Sequence, residues 1–441
     1  MAVGLMVCIA VPVARAQTYT DLLNFDGKHG ANPDTPQLLA QGRDGNLYGT
    51  TEVGNEEFGV VFRITPEGTS KVIHYFDGLD GSRSYSGLIL GTDGSFYGTT
   101  AYGGSRHRGT VFKITPSGNV TTLHTFSGGS DGQPFAPPIQ VADGDFYGVT
   151  DQIAYKISRS GTFTALPSIG GSPTVSPLLQ AADGTILGTT GTGGAFNYGM
   201  VYKLTNSGYE IIFSFDAHVP AYNAPLIQGS DGNFYGTTYT GGNYRQGVVF
   251  KLTPKGAVTT LHNFPDPNYP QDGAEPQAGL VLASDGNFYG VTTEGGTGTF
   301  GPGVFFKITA AGDYSILYNF EAATGSAPAS TPFQHTNGKI YGLTVYGGTN
   351  NMGVAYSIDL GLPPFVRFLP AFGTAGEIIE FLGQGFTGTT AVSFNGTAAS
   401  FAVASDTYLT AVVPTGATSG TVTVTTPGGV LNSNQAFQVV P

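Results

Sequence analysis

Short apolar runs alternate with polar turn clusters along most of the chain, and residues 225–264 show the pattern in one stretch. A first run around Leu226 and Ile227 stops at Asp231-Gly232. A second covers Phe234 to Tyr239 and leads into a Gly-rich loop. A third covers Val248 to Thr253 and stops at Pro254-Lys255-Gly256, and a fourth covers Val258 to Phe264. Runs of this length between Gly, Pro and Asp read as β-strands. The Asp-Gly pair predicts a tight hairpin of type I′, in which both central residues need positive φ. In the later turn Pro254 presets φ and Gly256 eases the return. Four antiparallel strands joined in this way make one blade of a β-propeller.

The unit recurs seven times. Its first turns start at Asp44, Asp93, Asp143, Asp183, Asp231, Asp285 and Asn337, spaced by 49, 50, 40, 48, 54 and 52 residues. That period, with β-patterning inside it, marks a propeller or another repeat array. The third strand carries one aromatic per copy: Phe62, Phe112, Tyr155, Tyr202, Phe250, Phe306 and Tyr356. These share a strand face and are expected to pack between blades. The second strand carries Gly49, Gly98, Gly148, Gly188, Gly236, Gly290 and Gly342, read as positions of tight blade-on-blade packing. The third copy is shortened, with its Gly-rich loop reduced to Asp151-Gln152.

Fourth strands end at Phe76, Phe126, Ile169, Phe215, Phe264 and Phe320, but none follows the seventh third strand. The missing copy stands at the start of the chain, as Leu22-Leu23-Asn24-Phe25. It is expected to complete the last blade and remove the open sheet edge. The expected fold is therefore all-β: a seven-bladed β-propeller over residues 17–361, then a small immunoglobulin-like β-sandwich over 362–441.

Composition narrows the class. The 441 residues include 68 Gly, 30 Phe and 23 Tyr, with 11% charged and 40% hydrophobic, which fits a β-rich secreted protein rather than a disordered one. A net charge of -12 opposes a nucleic-acid role. Residues 1–16 read as a signal peptide: an apolar run to Val13, then Ala14-Arg15-Ala16 as the cleavage site, without a basic leading region. The only cysteine, Cys8, lies inside it, so the mature chain would hold no disulfide. No later apolar run is long enough to span a membrane.

The segments DGNLYGTT, DGSFYGTT and DGNFYGTT, each followed by a third strand of the GVVF(R/K)(I/L)TP type, resemble the GloVer-type tandem repeat of bacterial choice-of-anchor proteins. That resemblance implies a secreted, surface-associated protein and supplies no catalytic residues. The segments FLGQGFTGTTAVSFNGTAA and LTAVVPTGATSGTVTVTTPGG resemble an IPT/TIG domain, which implies a binding or spacer module. A looser similarity links the repeat to seven-bladed antibiotic-lyase propellers, but no counterpart of their acid–base and metal residues is found here.

Strand order puts the loops after second and fourth strands on one face and the tight turns on the other. Binding on a rigid scaffold usually uses such variable loops. Arg83, Tyr85, Arg106, His107, Arg108, Tyr198, Tyr222, Tyr244, Arg245 and Tyr269 are the candidate ligand contacts on this rim. The expected partner is an extracellular glycan or a surface protein. Rim carboxylates (Asp77, Asp80, Asp131, Asp266, Asp272, Glu275) keep a polysaccharide lyase or hydrolase open as an alternative, since glycosidases need two across the scissile bond. A purely structural surface repeat protein is the third reading. His74, His124 and His262 hold equivalent places in different blades and so do not converge on one ion. No cofactor or metal site is expected. The repeated Arg63, Lys113, Lys156, Lys203, Lys251 and Lys307 are read as meeting nearby carboxylates, carbonyls or solvent. Gly128-Gly129-Ser130-Asp131-Gly132 fits G-x-S-x-G but lacks the strand-to-helix turn that a nucleophile needs.

Overall fold

A computed structural model describes residues 17–33, 39–54, 58–141, 143–172, 176–205, 208–220, 225–265, 270–297 and 301–440. The expected signal segment with Cys8 lies outside the described residues, as do Tyr222, Asp266 and Tyr269. The described chain is all-β, with a single-turn 3-10 segment at Pro270–Asp272 and no α-helix among the described residues. No helix among them is long and apolar enough to cross a membrane.

Seven four-stranded antiparallel sheets occupy the described residues from Thr18 to Asp359. The fifth holds Leu226–Gln228, Phe234–Thr238, Val248–Leu252 and Val258–Asn263 in sequence order. In its third strand Val248, Val249, Phe250 and Leu252 are fully buried while Lys251 keeps access to solvent.

The Asp-Gly turns depart from the expected type I′ geometry. Only the Gly has positive φ: Gly45 at 76°, Gly94 at 78° and Gly232 at 78°, while the preceding Asp does not. Gly45 N–H bonds Gly42 C=O at 3.0 Å, and Gly42 N–H bonds Asn46 C=O at 2.8 Å. This is a type I turn closed by a left-handed Gly bulge, a standard three-residue hairpin loop. The Asp side chain then locks it. In the fifth sheet Asp231 accepts from the Asn233 N–H at 3.1 Å, from the Tyr235 hydroxyl at 2.8 Å and from Lys251 at 2.8 Å. With Asn233 Nδ2 donating a fourth hydrogen bond at 2.7 Å, the contacts on one carboxylate explain why Asp-Gly, an aromatic and a later Lys recur together.

The second-strand glycines also do something more local than expected. A Cβ at Gly49 would stand 2.6 Å from Cζ of Phe62, and one at Gly98 2.8 Å from Cζ of Phe112. Gly49 pairs with Phe62, and Gly98 with Phe112, inside the same sheet. Each glycine thus makes room for its own sheet's aromatic, which lies across the strand and packs on the neighbouring sheet.

The seventh sheet is completed from the start of the chain. Thr18–Asn24 pairs antiparallel with Val354–Asp359, from Thr18↔Asp359 to Asn24↔Val354. The register slips between Asp21 and Leu23, as it does between Val61 and Phe62 on the partner strand of the first sheet. Phe25 N–H then bonds Gly353 C=O, as Phe76 N–H bonds Gly59 C=O and Phe264 N–H bonds Gly247 C=O.

Each sheet touches its successor. Tyr48 stacks on Phe96 at 4.1 Å, Tyr97 on Phe146 at 4.0 Å and Tyr235 on Phe288 at 4.1 Å. A recurring first-strand glutamine adds polar links. Gln140 accepts from Thr92 N–H at 2.8 Å, Gln228 from Ala182 N–H at 2.8 Å and Gln334 from Ser284 N–H at 2.9 Å. Gln41 accepts from Thr336 N–H at 3.1 Å, joining the seventh sheet to the first.

Beyond residue 366 two further four-stranded sheets face each other. One holds Arg367–Leu369, Ile378–Leu382, Tyr408–Val412 and Phe401–Ser405; the other holds Thr397–Ala399, Ala391–Phe394, Val422–Thr426 and Gly429–Asn432. Phe368, Ile379, Phe381, Val392, Phe394, Leu409, Val422 and Val424 from both sheets form one buried core.

Candidate functional site

The long loops share one face. Bridges Ser82↔Tyr102, Ala274↔Glu294 and Ser326↔Tyr346 tie the loop entering a sheet to the loop leaving that sheet's second strand. The second of these loops is braced internally: Gly109 N–H bonds Gly103 C=O at 3.1 Å, and His107 N–H bonds Gly104 C=O at 3.1 Å. At its apex His107 has φ 55°, and Asn197, Arg245 and Asn351 hold φ 61°, 63° and 52° at the matching places. Asn tolerates this left-handed region, whereas His107 and Arg245 are held in it by the surrounding loop.

The structure places the predicted rim residues in three groups. Arg106, His107 and Arg108 are exposed on one loop, and the stem of Arg108 lies against Gly128 of the following loop. Tyr198 and Tyr244 are 42% and 50% exposed, and Arg245 is exposed beside Tyr244. Arg83 and Tyr85 form a contact set of their own on Glu52. The Tyr85 hydroxyl donates to Glu52 Oε1 at 2.9 Å, and Arg83 lies 3.5 Å from the same oxygen. Burial and Glu52 push the Tyr85 hydroxyl up to about 12.

Three exposed aromatics of this face escaped the sequence reading: Phe196, Tyr102 and Tyr346, at 61%, 41% and 49%. Tyr102 and Tyr346 both precede a Gly-Gly pair two residues after a Thr-terminated strand, a repeated signal that would have found them. A carboxylate cluster lies across the sixth sheet's loops. Burial, and then the neighbouring Glu275, pushes the Tyr239 hydroxyl up to about 12. Burial and the charge of Glu275 hold the Glu294 carboxyl above its ordinary range.

The repeated bases and histidines are structural. Lys113 pairs with Asp93 at 2.6 Å, Lys156 with Asp143 at 3.0 Å and Lys203 with Glu210 at 2.7 Å. His124 stacks on Phe163 at 3.8 Å and His262 on Tyr314 at 3.9 Å, each reaching the fourth strand of the next sheet. Burial lowers the pKa of both imidazoles. No three of His, Cys, Asp or Glu gather as a metal site among the described residues.

The opposite, tight-turn face meets the two C-terminal sheets. Arg43 grips Glu380 with both Nε, at 3.1 Å, and Nη2, at 2.5 Å, and also donates to Thr92 C=O at 3.0 Å. Its guanidinium lies 4.8 Å over the Tyr408 ring. His335 contacts Gly45 C=O at 2.8 Å, and Gln384 donates to Thr336 at 3.0 Å. Two clefts lie along this contact. One, of about 640 Å³, runs between the first strands of the second and third sheets and Leu369 to Glu380. A smaller one, of about 250 Å³, is walled by first strands of the first, second and seventh sheets together with Arg367, Leu369 and Leu382.

No curated protein matches the chain in sequence. Similar folds occur among solved structures. A streptogramin B lyase is 14% identical with a TM-score of 0.54, over 78% of this chain and 97% of the lyase. A catalytically inactive virginiamycin B lyase from Staphylococcus aureus, solved with quinupristin, is 13% identical with a TM-score of 0.55, over 78% and 99%. A fungal alcohol oxidase of the AA5 family in complex with copper is 14% identical with a TM-score of 0.53, over 93% and 98%. At such identities the likeness concerns the fold alone, a propeller-like all-β architecture. In sequence, the Gloeobacter/Verrucomicrobia repeat matches residues 11–164 and 172–425, which takes in the repeated Asp-Gly hairpins and their Gly-Gly loops. The chain belongs to the Gloeobacter/Verrucomicrobia repeat family.

Proposed function

We propose that the protein is a secreted, non-catalytic binding protein that recognises an extracellular glycan or surface protein through its long-loop rim. In this reading residues 1–16 are a signal peptide, 17–361 a seven-bladed propeller and 362–441 an IPT/TIG immunoglobulin-like domain. The seven consecutive four-stranded sheets, the pairing of Thr18–Asn24 with the last of them and the double-sheet C-terminal core support that division.

The observation that carries the binding reading is the rim surface itself. Tyr102, Phe196, Tyr198, Tyr244 and Tyr346 stay between 41% and 61% exposed on one face, beside the exposed Arg106, His107, Arg108 and Arg245. Aromatic and Arg side chains on rigid loops supply contact area at low entropic cost. The test is a glycan array and a pull-down from bacterial envelope extracts, each run with the native protein and with Y198A/Y244A and R106A/R108A. Capture by the native protein and at least a tenfold loss in one variant is expected. Empty results in both assays would remove the binding reading.

A second reading rests on Glu275 and Glu294, where burial and then the charge of Glu275 hold the Glu294 carboxyl above its ordinary range. Such a pair suits a polysaccharide lyase or hydrolase. Glu294→Gln would abolish turnover of whichever polysaccharide the array identifies; an unchanged rate removes this reading.

A further inference from the structure

The smaller tight-turn cleft has one charged wall. Arg367 begins the first C-terminal strand, and its guanidinium lies 4.6 Å over the Phe333 ring. It donates one hydrogen bond, to Gln334 C=O at 3.3 Å. A guanidinium carries five N–H donors, so one carbonyl leaves most of its capacity open. It joins none of the ion pairs formed among the described residues, unlike Arg43, which the nearby Glu380 neutralises. Burial lowers its pKa to about 10, and no carboxylate offsets that shift. Arg367 nevertheless keeps accessible surface, because it borders the cleft.

The rest of this cleft's wall is largely apolar, while Arg159, Glu377 and Glu380 stand on the wall of the larger one. Leu39, Leu88, Leu90, Leu369 and Leu382 line the cleft, and the other polar wall, Gln41, is spent on Thr336. Ile89, Leu90 and Leu369 also line the larger cleft of about 640 Å³, so the two clefts adjoin at these side chains. The larger one continues past Ile139 and Phe372 to Ile378, which is 66% exposed at the surface. Its volume falls in the range that small-molecule sites occupy.

We propose that these adjoining clefts together bind an aliphatic monocarboxylate, its head on Arg367 and its chain along the Leu and Ile walls towards Ile378. A carboxylate matches the guanidinium fork with charge-assisted hydrogen bonds, which are strong where water is excluded. An alkyl chain removes wall surface from water, tightening binding about fourfold for each methylene seated. The site lies on the face away from the rim, so it stands or falls independently of the rim reading.

Isothermal titration of the full chain with octanoate, decanoate and decanol tests it. Saturable decanoate binding is expected, tighter than octanoate by about fifteenfold, from two methylenes, and at least tenfold tighter than decanol. Arg367→Met is expected to erase the preference for decanoate over decanol, and Arg367→Lys to keep part of it. Ile378→Trp, a surface change that narrows the mouth, is expected to weaken decanoate at least tenfold even if Arg367 variants misfold. No saturable decanoate binding, equal binding of decanoate and decanol, or unchanged decanoate affinity in both Arg367→Met and Ile378→Trp would overturn the proposal.

Discussion

Three aromatics in the repeat carry a hydroxyl that the fold does not use. Tyr155, Tyr202 and Tyr356 occupy the third-strand position where the other copies have Phe62, Phe112, Phe250 and Phe306, and their buried hydroxyl oxygens have no hydrogen-bond partner among the described residues. A buried unsatisfied hydroxyl costs about 1–3 kcal/mol. Tyr356→Phe is therefore expected to raise stability by about 1 kcal/mol, measured by denaturant unfolding; a loss of similar size would mean that the hydroxyl is satisfied. His335 makes a pH prediction. Its Nε2 meets Gly45 C=O at 2.8 Å and its Nδ1 accepts from Asn337 N–H at 3.1 Å, an arrangement that needs the neutral ring. Burial lowers its pKa to about 4, with Arg367 adding to the effect and Glu67 opposing it. The unfolded imidazole titrates near 6.5, so the unfolded state takes up the proton first as pH falls. Stability should decline from about pH 6.5 towards 4, by at most about 3 kcal/mol from this group. Burial lowers the pKa of His124 and His262 too, so they add in the same direction. His335→Gln keeps a donor and an acceptor and should flatten the decline; melting curves at pH 7 and 5 of both proteins decide it.

Among the elements, the strand supplied by the N-terminus makes the strongest expectation. Thr18–Asn24 satisfies the edge of Val354–Asp359 over six register pairs, and Phe25 beyond it is 1% exposed. Removing residues 18–25 leaves that edge open and a cavity where Phe25 stood. A buried Phe alone is worth about 3–5 kcal/mol, so the truncated chain should melt far lower or aggregate through the exposed edge. An unchanged melting temperature would refute the closure. This element was legible in the sequence because absence is visible in a repeat: six fourth strands followed seven third strands, and Leu22 to Phe25 matched the missing one. The turn type was not legible. Asp-Gly suits both a type I′ turn and a type I turn with a Gly bulge, and the choice depends on the residue before Asp. Arg43, Thr92 and Ser230 stand there without a positive φ, which leaves the left-handed residue to Gly alone. The glutamine links between sheets were overlooked for a different reason. Gln41, Gln140, Gln228 and Gln334 repeat in the sequence, yet only the spacing of neighbouring sheets turns each into an acceptor for the preceding sheet's turn.

At the scale of the whole molecule, the docking of the C-terminal sheets follows from two departures from the repeat. The residue before the Asp or Asn of the tight turn is Thr, Ala or Ser in six copies and Arg43 in the first. The residue before that is Gly, Ala or Val in six copies and His335 in the seventh. Both exceptions face the C-terminal unit: Arg43 holds Glu380 and Tyr408, while His335 holds the Gly45 turn that Thr407 covers. Sequence alone shows these as irregularities, since the charge partner lies 337 residues away. A repeat module has no intrinsic need for an arginine in its turn, so the energy of this pair belongs to the docking. Glu380 is 12% exposed and Arg43 31%, and burial raises the Glu380 carboxyl against the pull of Arg43. A pair so placed, bidentate and partly desolvated, should couple by about 1–3 kcal/mol. Arg43→Thr restores the residue of the second and seventh copies, so the first sheet should fold as before. Glu380→Gln keeps the shape of its partner. In a double-mutant cycle followed by denaturant unfolding, each single change is expected to destabilise the docked C-terminal unit, and the double change to cost less than their sum. Additivity within about 0.5 kcal/mol would show instead that Arg43 is held by Thr92 and Tyr408, with Glu380 a bystander.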